Sequence, residues 1–423
     1  MNKYDVIIIG GGPAGLFAAI MCAANQNKKI ALLEKNKSCG RKLLMAGAGK
    51  CNITQAGDIE HFLTCYGTNA KFLKHALLSF QNKDLLDFFK QRGLEFMTTE
   101  KGKVFPKSLK SQDVLNILLD ECKKRKVNIC YETPVQSLVK EQELFYVQTS
   151  QGVYESPIVV VATGGLSYPH TGSTGEGLVW AKSFGHKIIP TKPALTPLKI
   201  KNYELSDMSG TSFEELPYTL WRNGKKIGSY QGDFLLTHTG VSGPGIINNS
   251  RFMQSGDVIK CNFVAAESIE EFRSNLTKKL NHGGKTLVKS IVRELNLTKR
   301  FADKVLELCE INDDLKCAEL TKATRQKLLT TLTEYEMEVK ELGGYHVAMV
   351  TTGGVSIKEI SPKTMESKKV SNLYFIGEVL DIDGDTGGYN IQAAMSTAYI
   401  ASQAINKGSL STGVGEEILY LYS

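Results

Sequence analysis

The sequence predicts an α/β fold: a discontinuous Rossmann-like domain, a β-rich second domain and a helical insert. Three observations predict it. The chain opens with an apolar, strand-like run, "DVIIIG", that passes through glycines into a helical run. Near the far end a second strand-like stretch, "NLYFIGE" (372–378), again leads through glycines into a helix. Between them the pattern changes twice, first to short β-rich runs punctuated by Pro and Gly, then to amphipathic helices.

The first element is "YDVIIIGGGPAG" (4–15). Val6 to Ile9 read as a buried strand, followed by Gly10-x-Gly12-x-x-Gly15 and the helical run "LFAAIMCAA". This is the strand–turn–helix context that gives the glycine spacing its meaning. Gly10 allows the tight turn, Gly12 admits a pyrophosphate to the backbone, and Gly15 lets helix and strand pack closely. Pro13 and Ala14 open the helix, whose N-terminus faces the phosphates. The next strand, "KKIALLE" (28–34), ends in Glu34, placed to accept from ribose hydroxyls, with Lys35 after it. Residues 6–24 carry no charge over 19 positions and so mimic a signal peptide or a membrane span. Gly-Gly-Gly-Pro in the middle argues against one continuous helix.

With 423 residues, 42% hydrophobic and 22% charged, the chain has the size and composition of a two- or three-domain globular protein. The net charge of +7 is unevenly placed: residues 1–140 hold 22 Lys+Arg against 12 Asp+Glu, while 141–265 hold 10 of each. A basic first third suits a phosphate-rich partner, or a solvated surface beside a site for an anionic cofactor. Nine cysteines are scattered without a Cys-x-x-Cys pair, which reads as reduced thiols and a cytoplasmic protein. No Cys/His group has metal-ligand spacing, and no membrane or stable protein partner is expected.

"GAGKCN" (47–52) imitates the end of an ATP-binding P-loop, but the spacing fails. Leu44 stands where the first glycine is required, and Cys51 replaces the metal-binding hydroxyl. The far end of the chain decides which dinucleotide the first motif serves. "PIVVVATGG" (157–165) is a strand running into Ala162, Thr163 and Gly164. Gly377 and Glu378 follow another strand, and Gly388, Tyr389, Asn390 and Ile391 open a helix aimed at some site. Closure of the site from the far end fits FAD, because NAD-binding domains usually finish contiguously. The N–H groups at Gly388–Ile391 suit negative charge at one edge of a flavin.

Six stretches carry a family resemblance: "GRKLLMAGAGKCNIT" (40–54), "GKVFPKS" (102–108), "ATGGLSYPHTGSTGEG" (162–177), "LLTHTGVSGP" (235–244), "TTGGVSIKEISPKTMESK" (351–368) and "GEVLDIDGDTGGYN" (377–390). Through them the sequence resembles the FAD-dependent BaiN/RdsA family, also met as aminoacetone-oxidase-like flavoproteins, over nearly its whole length. Ala48 and Lys50 depart from a "GGGRCN" pattern, and Asp385 stands where a bulkier residue is common. The resemblance implies an FAD-binding domain at 1–192 and 356–423. The β-rich substrate-side domain then takes 193–265 and 336–355, and the helical insert 266–335. It also implies that Arg41, Lys42, Lys50, Cys51 and Asn52 run along FAD toward its flavin ring, with Val135 beside the cofactor and Glu378 a cofactor ligand. Lys50 next to Cys51 is a cation that can lower the thiol's pKa; the plainer reading is that Cys51 only packs under the ring.

The resemblance implies three activities: reduction of a uridine in 23S rRNA to dihydrouridine, oxidation of small amines such as aminoacetone, and reduction of small enones. The RNA reading needs a hydride from reduced flavin to uracil C6 and a proton to C5, for which Cys51 is the candidate acid. His238 is a second candidate, suited to a proton shuttle near neutrality. His170 lies in a loop that can face substrate, and His346 reads as buried β-structure. No paired carboxylates stand out. No second G-x-G-x-x-G follows a strand, so NAD(P)H is expected only as a transient electron donor. From a different class, a flavin-bound redox sensor or scaffold without turnover remains an alternative.

Overall fold

The computed structural model describes residues 2–24 and 28–408. Chain contacts divide it into two compact units, 1–193 with 349–423, and 194–348.

The first unit is built on a five-stranded parallel sheet. Its strand order is Leu373–Phe375, Val159–Val161, Val6–Ile9, Ile30–Leu33, Asn128–Cys130. Val6–Ile9 and Ile30–Leu33 are buried at every position, as the interior of a parallel sheet covered on both faces requires. From the central strand Val6–Ile9 the chain first builds outward on one side, then returns to build on the other. The C-terminal end of Val6–Ile9 is therefore a topological switch point, where open α/β sheets bind ligands. The uncharged 6–24 run resolves into this strand and the ten-residue helix Pro13–Cys22. No helix among the described residues is long and apolar enough to cross a membrane.

The helix Tyr389–Gly408 packs against Pro13–Cys22: Ser402 Oγ donates to the Ala18 carbonyl and Asn406 Nδ2 to the Met21 carbonyl, at 3.3 and 3.1 Å. Two smaller sheets complete the unit. One is four-stranded, from Asn2–Lys3, Gly152–Ser156, Leu144–Thr149 and Val135–Glu141; the other joins Thr54–Gln55, Lys103–Pro106 and Phe96–Thr98. Val350–Val355 pairs with Ile188–Ala194.

The second unit is a closed barrel of six strands, Leu198–Ile200, Gly240–Ser242, Lys225–Leu236, Ser212–Arg222, Val258–Cys261 and Tyr335–Leu342, with antiparallel neighbours. Its longest hairpin turns on Asn223-Gly224, both left-handed at φ +50° and +73°. Asn-Gly is the pair that tolerates such a turn. The helices Ile269–His282, Val288–Arg293, Lys299–Leu308 and Lys322–Thr333 lie between the fifth and sixth barrel strands in sequence. Ser268, Thr298 and Thr321 cap three of them by accepting backbone N–H bonds. These helices share one apolar core with the barrel, including Phe234, Ile259, Phe301 and Leu328.

Candidate active site

The turn after Val6–Ile9 shows why its residues are small. A Cβ on Gly15 would lie 1.9 Å from the Gly10 carbonyl oxygen, so only glycine lets this helix approach its own strand. A Cβ on Gly12 would meet nothing within 4 Å, which leaves an open flank where the helix begins. Gly11, not singled out in the sequence, is equally constrained. Its N–H donates to Glu34 Oε2 at 2.9 Å, and a Cβ there would lie 2.5 Å from Cys39 Sγ. The uninterrupted Gly-Gly-Gly run was the available signal. Pro13 occupies the first helical turn, and Ala14 is buried beside Gly377.

Glu34 is buried at the end of the second strand, and its other oxygen accepts from the Asn36 backbone N–H at 2.8 Å. Lys35 is turned away, donating to Thr174 and Glu176. Arg41 is exposed and holds Asn36 Oδ1 at 2.7 Å. Thr133 N–H donates to the Glu34 carbonyl at 2.9 Å, which brings the segment before Val135 to this strand end. On the neighbouring strand Ala162 N–H bonds the Ile9 carbonyl at 2.8 Å. The Thr163 hydroxyl oxygen that follows is buried without a hydrogen-bond partner, and Gly164 is left-handed at φ +72°.

Lys42 and Glu378 form an ion pair of 2.7 Å. Asn52 bridges from the 47–52 loop to the last helix. With its amide oriented to suit both neighbours, its nitrogen donates to the Thr54 carbonyl at 3.0 Å and its oxygen accepts from Gly388 N–H at 3.3 Å. The next N–H groups, on Tyr389, Asn390 and Ile391, belong to the first helical turn and have no intrahelical acceptor. The Tyr389 ring is packed edge-on against Phe62 and Tyr66, and the Asn390 side chain clasps both polar backbone groups of Gly384. Only the backbones of these two residues are thus available to a ligand.

The 47–52 loop is strained: Gly47, Ala48, Gly49 and Cys51 all have positive φ, of +58°, +56°, +83° and +59°. Left-handed non-glycine residues cluster where surroundings over-determine the backbone. The expected cation-activated thiol is corrected here. Lys50 is exposed while Cys51 is 0% exposed, and burial pushes the thiol up to about 12. All nine cysteines are free.

Two further expectations need correction. His346 is exposed in a turn, because Gly343-Gly344 end the preceding strand. A carboxylate pair does exist: burial and then the neighbouring Asp383 raise the Asp381 carboxyl above its usual range. The spacing in "DIDGD" was its signal. His170 is exposed in the short helix Pro169–Thr171. His238 is exposed in the second unit, in the turn between Lys225–Leu236 and Gly240–Ser242.

These residues fit an FAD. The first helix starts at the switch point with an open flank at Gly12, a buried carboxylate ends the second strand, and the start of the last helix meets the 47–52 loop at Asn52.

Residues 4–404 match the family model described as the HI0933-like protein Rossmann domain. The chain is 31% identical over 405 residues to a ribosomal RNA dihydrouridine synthase of Escherichia coli (strain K12), covering 95% of this chain and 98% of that protein. A Haemophilus influenzae protein of the same name is 32% identical over 415 residues, covering 96% and 100%. A 3-dehydro-bile acid delta(4,6)-reductase of Clostridium scindens is 29% identical over 414 residues, covering 96% and 99%.

Proposed function

The chain belongs to the HI0933-like Rossmann family and is an FAD-dependent oxidoreductase, and we propose that it reduces a uridine of 23S ribosomal RNA to dihydrouridine. One observation carries this reading. The likeness to relatives named ribosomal RNA dihydrouridine synthases covers 95% and 96% of this chain, so it spans the barrel and its helices as well as the nucleotide-binding unit. A match confined to the Rossmann part would say little about substrate, because that fold serves many reactions. The surplus of 10 cations in residues 1–140 (22 Lys+Arg against 12 Asp+Glu) supports a polyanionic substrate.

In this proposal Gly12, Ala14 and Gly15 present backbone N–H groups to the pyrophosphate, Gly10 makes the turn with its own N–H held by the Leu33 carbonyl, Pro13 opens the helix, and Glu34 accepts from a ribose. Ala162, Thr163 and Gly164 line the neighbouring strand end. Gly377 and Glu378, with Lys42, hold the ribityl side, and the N–H groups of Tyr389 to Ile391 face the flavin edge. Bound FAD supplies the hydride for the reduction. NAD(P)H is the proposed donor that recharges it. Cys51 packs beneath the loop with its proton in place.

The Clostridium scindens relative favours a second reading, reduction of a small hydrophobic enone. Salt separates the two, since binding to RNA weakens steeply with ionic strength and binding of a neutral enone does not. The decisive experiment is mass-spectrometric mapping of dihydrouridine in 23S rRNA from cells with and without this gene. Loss of one dihydrouridine, restored on complementation, is the expected result. Unchanged rRNA overturns the RNA reading, and enone reduction and oxygen-consuming amine oxidation are then assayed on the purified protein.

A further inference from the structure

The run Lys123-Lys124-Arg125-Lys126 has no part in the site above. It forms the end of the helix Ser111–Lys124 and the turn beyond it, with Lys126 left-handed at φ +57°. A helix C-terminus favours a cation in its last turn, but four in succession exceed that need. Lys124 and Arg125 are held by Glu121, at 3.0 and 3.7 Å. Lys123 and Lys126 make no ion pair among the described residues.

Those two lysines line an open groove of about 470 Å³ alongside the strand Asn128–Cys130. The volume lies in the range of small-ligand sites, roughly 300–1,000 Å³. Leu119 and Ile129 give it apolar surface, and Asp120 is the one carboxylate in its lining. Tyr131 also lines it, with 38% of the residue exposed. Part of its ring surface is therefore free to stack.

Two unpaired cations, an exposed aromatic ring and a carboxylate able to accept from a base N–H form a particular combination. It matches a strand of nucleotides, whose phosphates need cations and whose bases need a stacking platform. Asn128–Cys130 is the outermost strand of its sheet, so a protein strand is the other conceivable occupant. Its three residues offer a short ladder, and the flanking lysines oppose edge pairing.

We propose that this groove docks a single-stranded segment of RNA, with Lys123 and Lys126 on phosphates and the Tyr131 ring against a base. The inference rests on the RNA reading of function and adds to it a docking site on the nucleotide-binding unit.

The test titrates the FAD-loaded, full-length protein with a short fluorescein-labelled oligouridine and follows anisotropy from about 50 to about 200 mM salt. The double variant Lys123→Glu/Lys126→Glu weakens binding by about tenfold or more and lowers the slope of log K against log salt by roughly 1.4, or about 0.7 for each lost phosphate contact. Tyr131→Ala weakens binding by about fivefold or more, while Tyr131→Phe, which keeps the ring, binds as wild type does. FAD content and visible spectrum remain those of the wild type in every variant, which separates docking from misfolding. Wild-type affinity and slope in the charge-reversed protein overturn the proposal. So does a change of oligomeric state in that variant with RNA binding intact, which marks the edge as a protein-pairing surface. Dihydrouridine formation on rRNA by the wild type is scored in parallel. Its absence removes the functional reading and leaves the groove to be judged on oligouridine alone. Its presence with unaffected variants removes only the groove.

Discussion

Lys42 Nζ lies 2.7 Å from Glu378 Oε2, although 336 positions separate them in the chain. The second Glu378 oxygen accepts the Thr351 N–H at 2.8 Å, and Thr351 Oγ1 accepts the N–H groups of Leu166 and Ser167 at 2.8 and 3.1 Å. One carboxylate thus ties together three segments that border the candidate site. Lys42 and Glu378 side chains are only 25% and 19% exposed, so the pair is better shielded than a surface ion pair. Glu378→Ala strands a half-buried ammonium and a backbone donor, and is expected to cost about 2–3 kcal/mol. Glu378→Gln keeps an acceptor for Thr351 and costs about 1 kcal/mol. Thermal unfolding of the FAD-loaded variants checks the order. Equal losses for Ala and Gln argue that the charge, not the hydrogen bond, matters.

Glu34 joins the glycine turn to the second strand through the Gly11 N–H at 2.9 Å. In the proposed complex it also accepts from a ribose hydroxyl. Glu34→Ala removes both bonds, and FAD affinity is expected to fall by about tenfold to a hundredfold, in line with hydrogen bonds to a charged group. Flavin-to-protein absorbance after gel filtration, followed by fluorescence titration of the stripped protein, measures this. Full FAD stoichiometry and unchanged affinity in Glu34→Ala exclude the ribose role.

What was legible in the sequence was local. The Val6–Ile9 run, the glycine spacing and Glu34 at the next strand end all fall within one strand–turn–helix–strand unit, where spacing along the chain is spacing in the fold. The barrel hairpin was legible for the same reason, because Asn223-Gly224 sits between two β-rich runs. The rest depended on distant partners. Cys51 is sealed beside a small sheet in which Thr54 pairs with Val104, so neighbouring Lys50 said nothing about its burial. Asn52 meets Gly388, and Lys42 meets Glu378, across the whole intervening barrel sequence. Tyr389 is a first-turn residue by sequence, but the Phe62 and Tyr66 rings that claim its side chain come from a segment more than three hundred residues earlier.

The 47–52 loop yields a pair of opposite expectations. Ala48 sits at φ +56°, which costs an L-residue about 1–2 kcal/mol. Ala48→Gly removes that strain but adds unfolded-state entropy, so a net gain of about 0.5 kcal/mol is expected. Cys51 is fully buried, and Cys51→Ala leaves a small void that costs about 1 kcal/mol or more. Because the thiol is sealed, Cys51→Ala is expected to keep dihydrouridine formation within about threefold of wild type, a loss below 1 kcal/mol of transition-state stabilisation. Denaturant unfolding and single-turnover assays on FAD-loaded protein test both halves. A Cys51→Ala enzyme that holds FAD but loses turnover restores the thiol as the proton donor.

Asp381 gives a pH signature of known sign. Burial and then the Asp383 carboxylate raise its folded pKa. The folded state therefore binds this proton more tightly than the unfolded chain does. Stability from this group is fully present below the unfolded carboxyl value, near 3.8. It falls as pH rises from there through the folded value, because the folded state then binds more protons than the unfolded one. At neutral pH the ionised carboxylate beside Asp383 is a standing cost. Asp381→Asn removes that charge and leaves the Asn69 Nδ2 bond to the residue's backbone carbonyl, 2.7 Å, untouched. Its stability advantage over wild type is expected to be absent near pH 4, to grow as pH rises, and to level off at neutral pH. Melting temperatures of both proteins across that range, at constant ionic strength, measure the gap. A gap that is flat with pH, or that closes as pH rises, shows that Asp381 is not held above the ordinary carboxylate range.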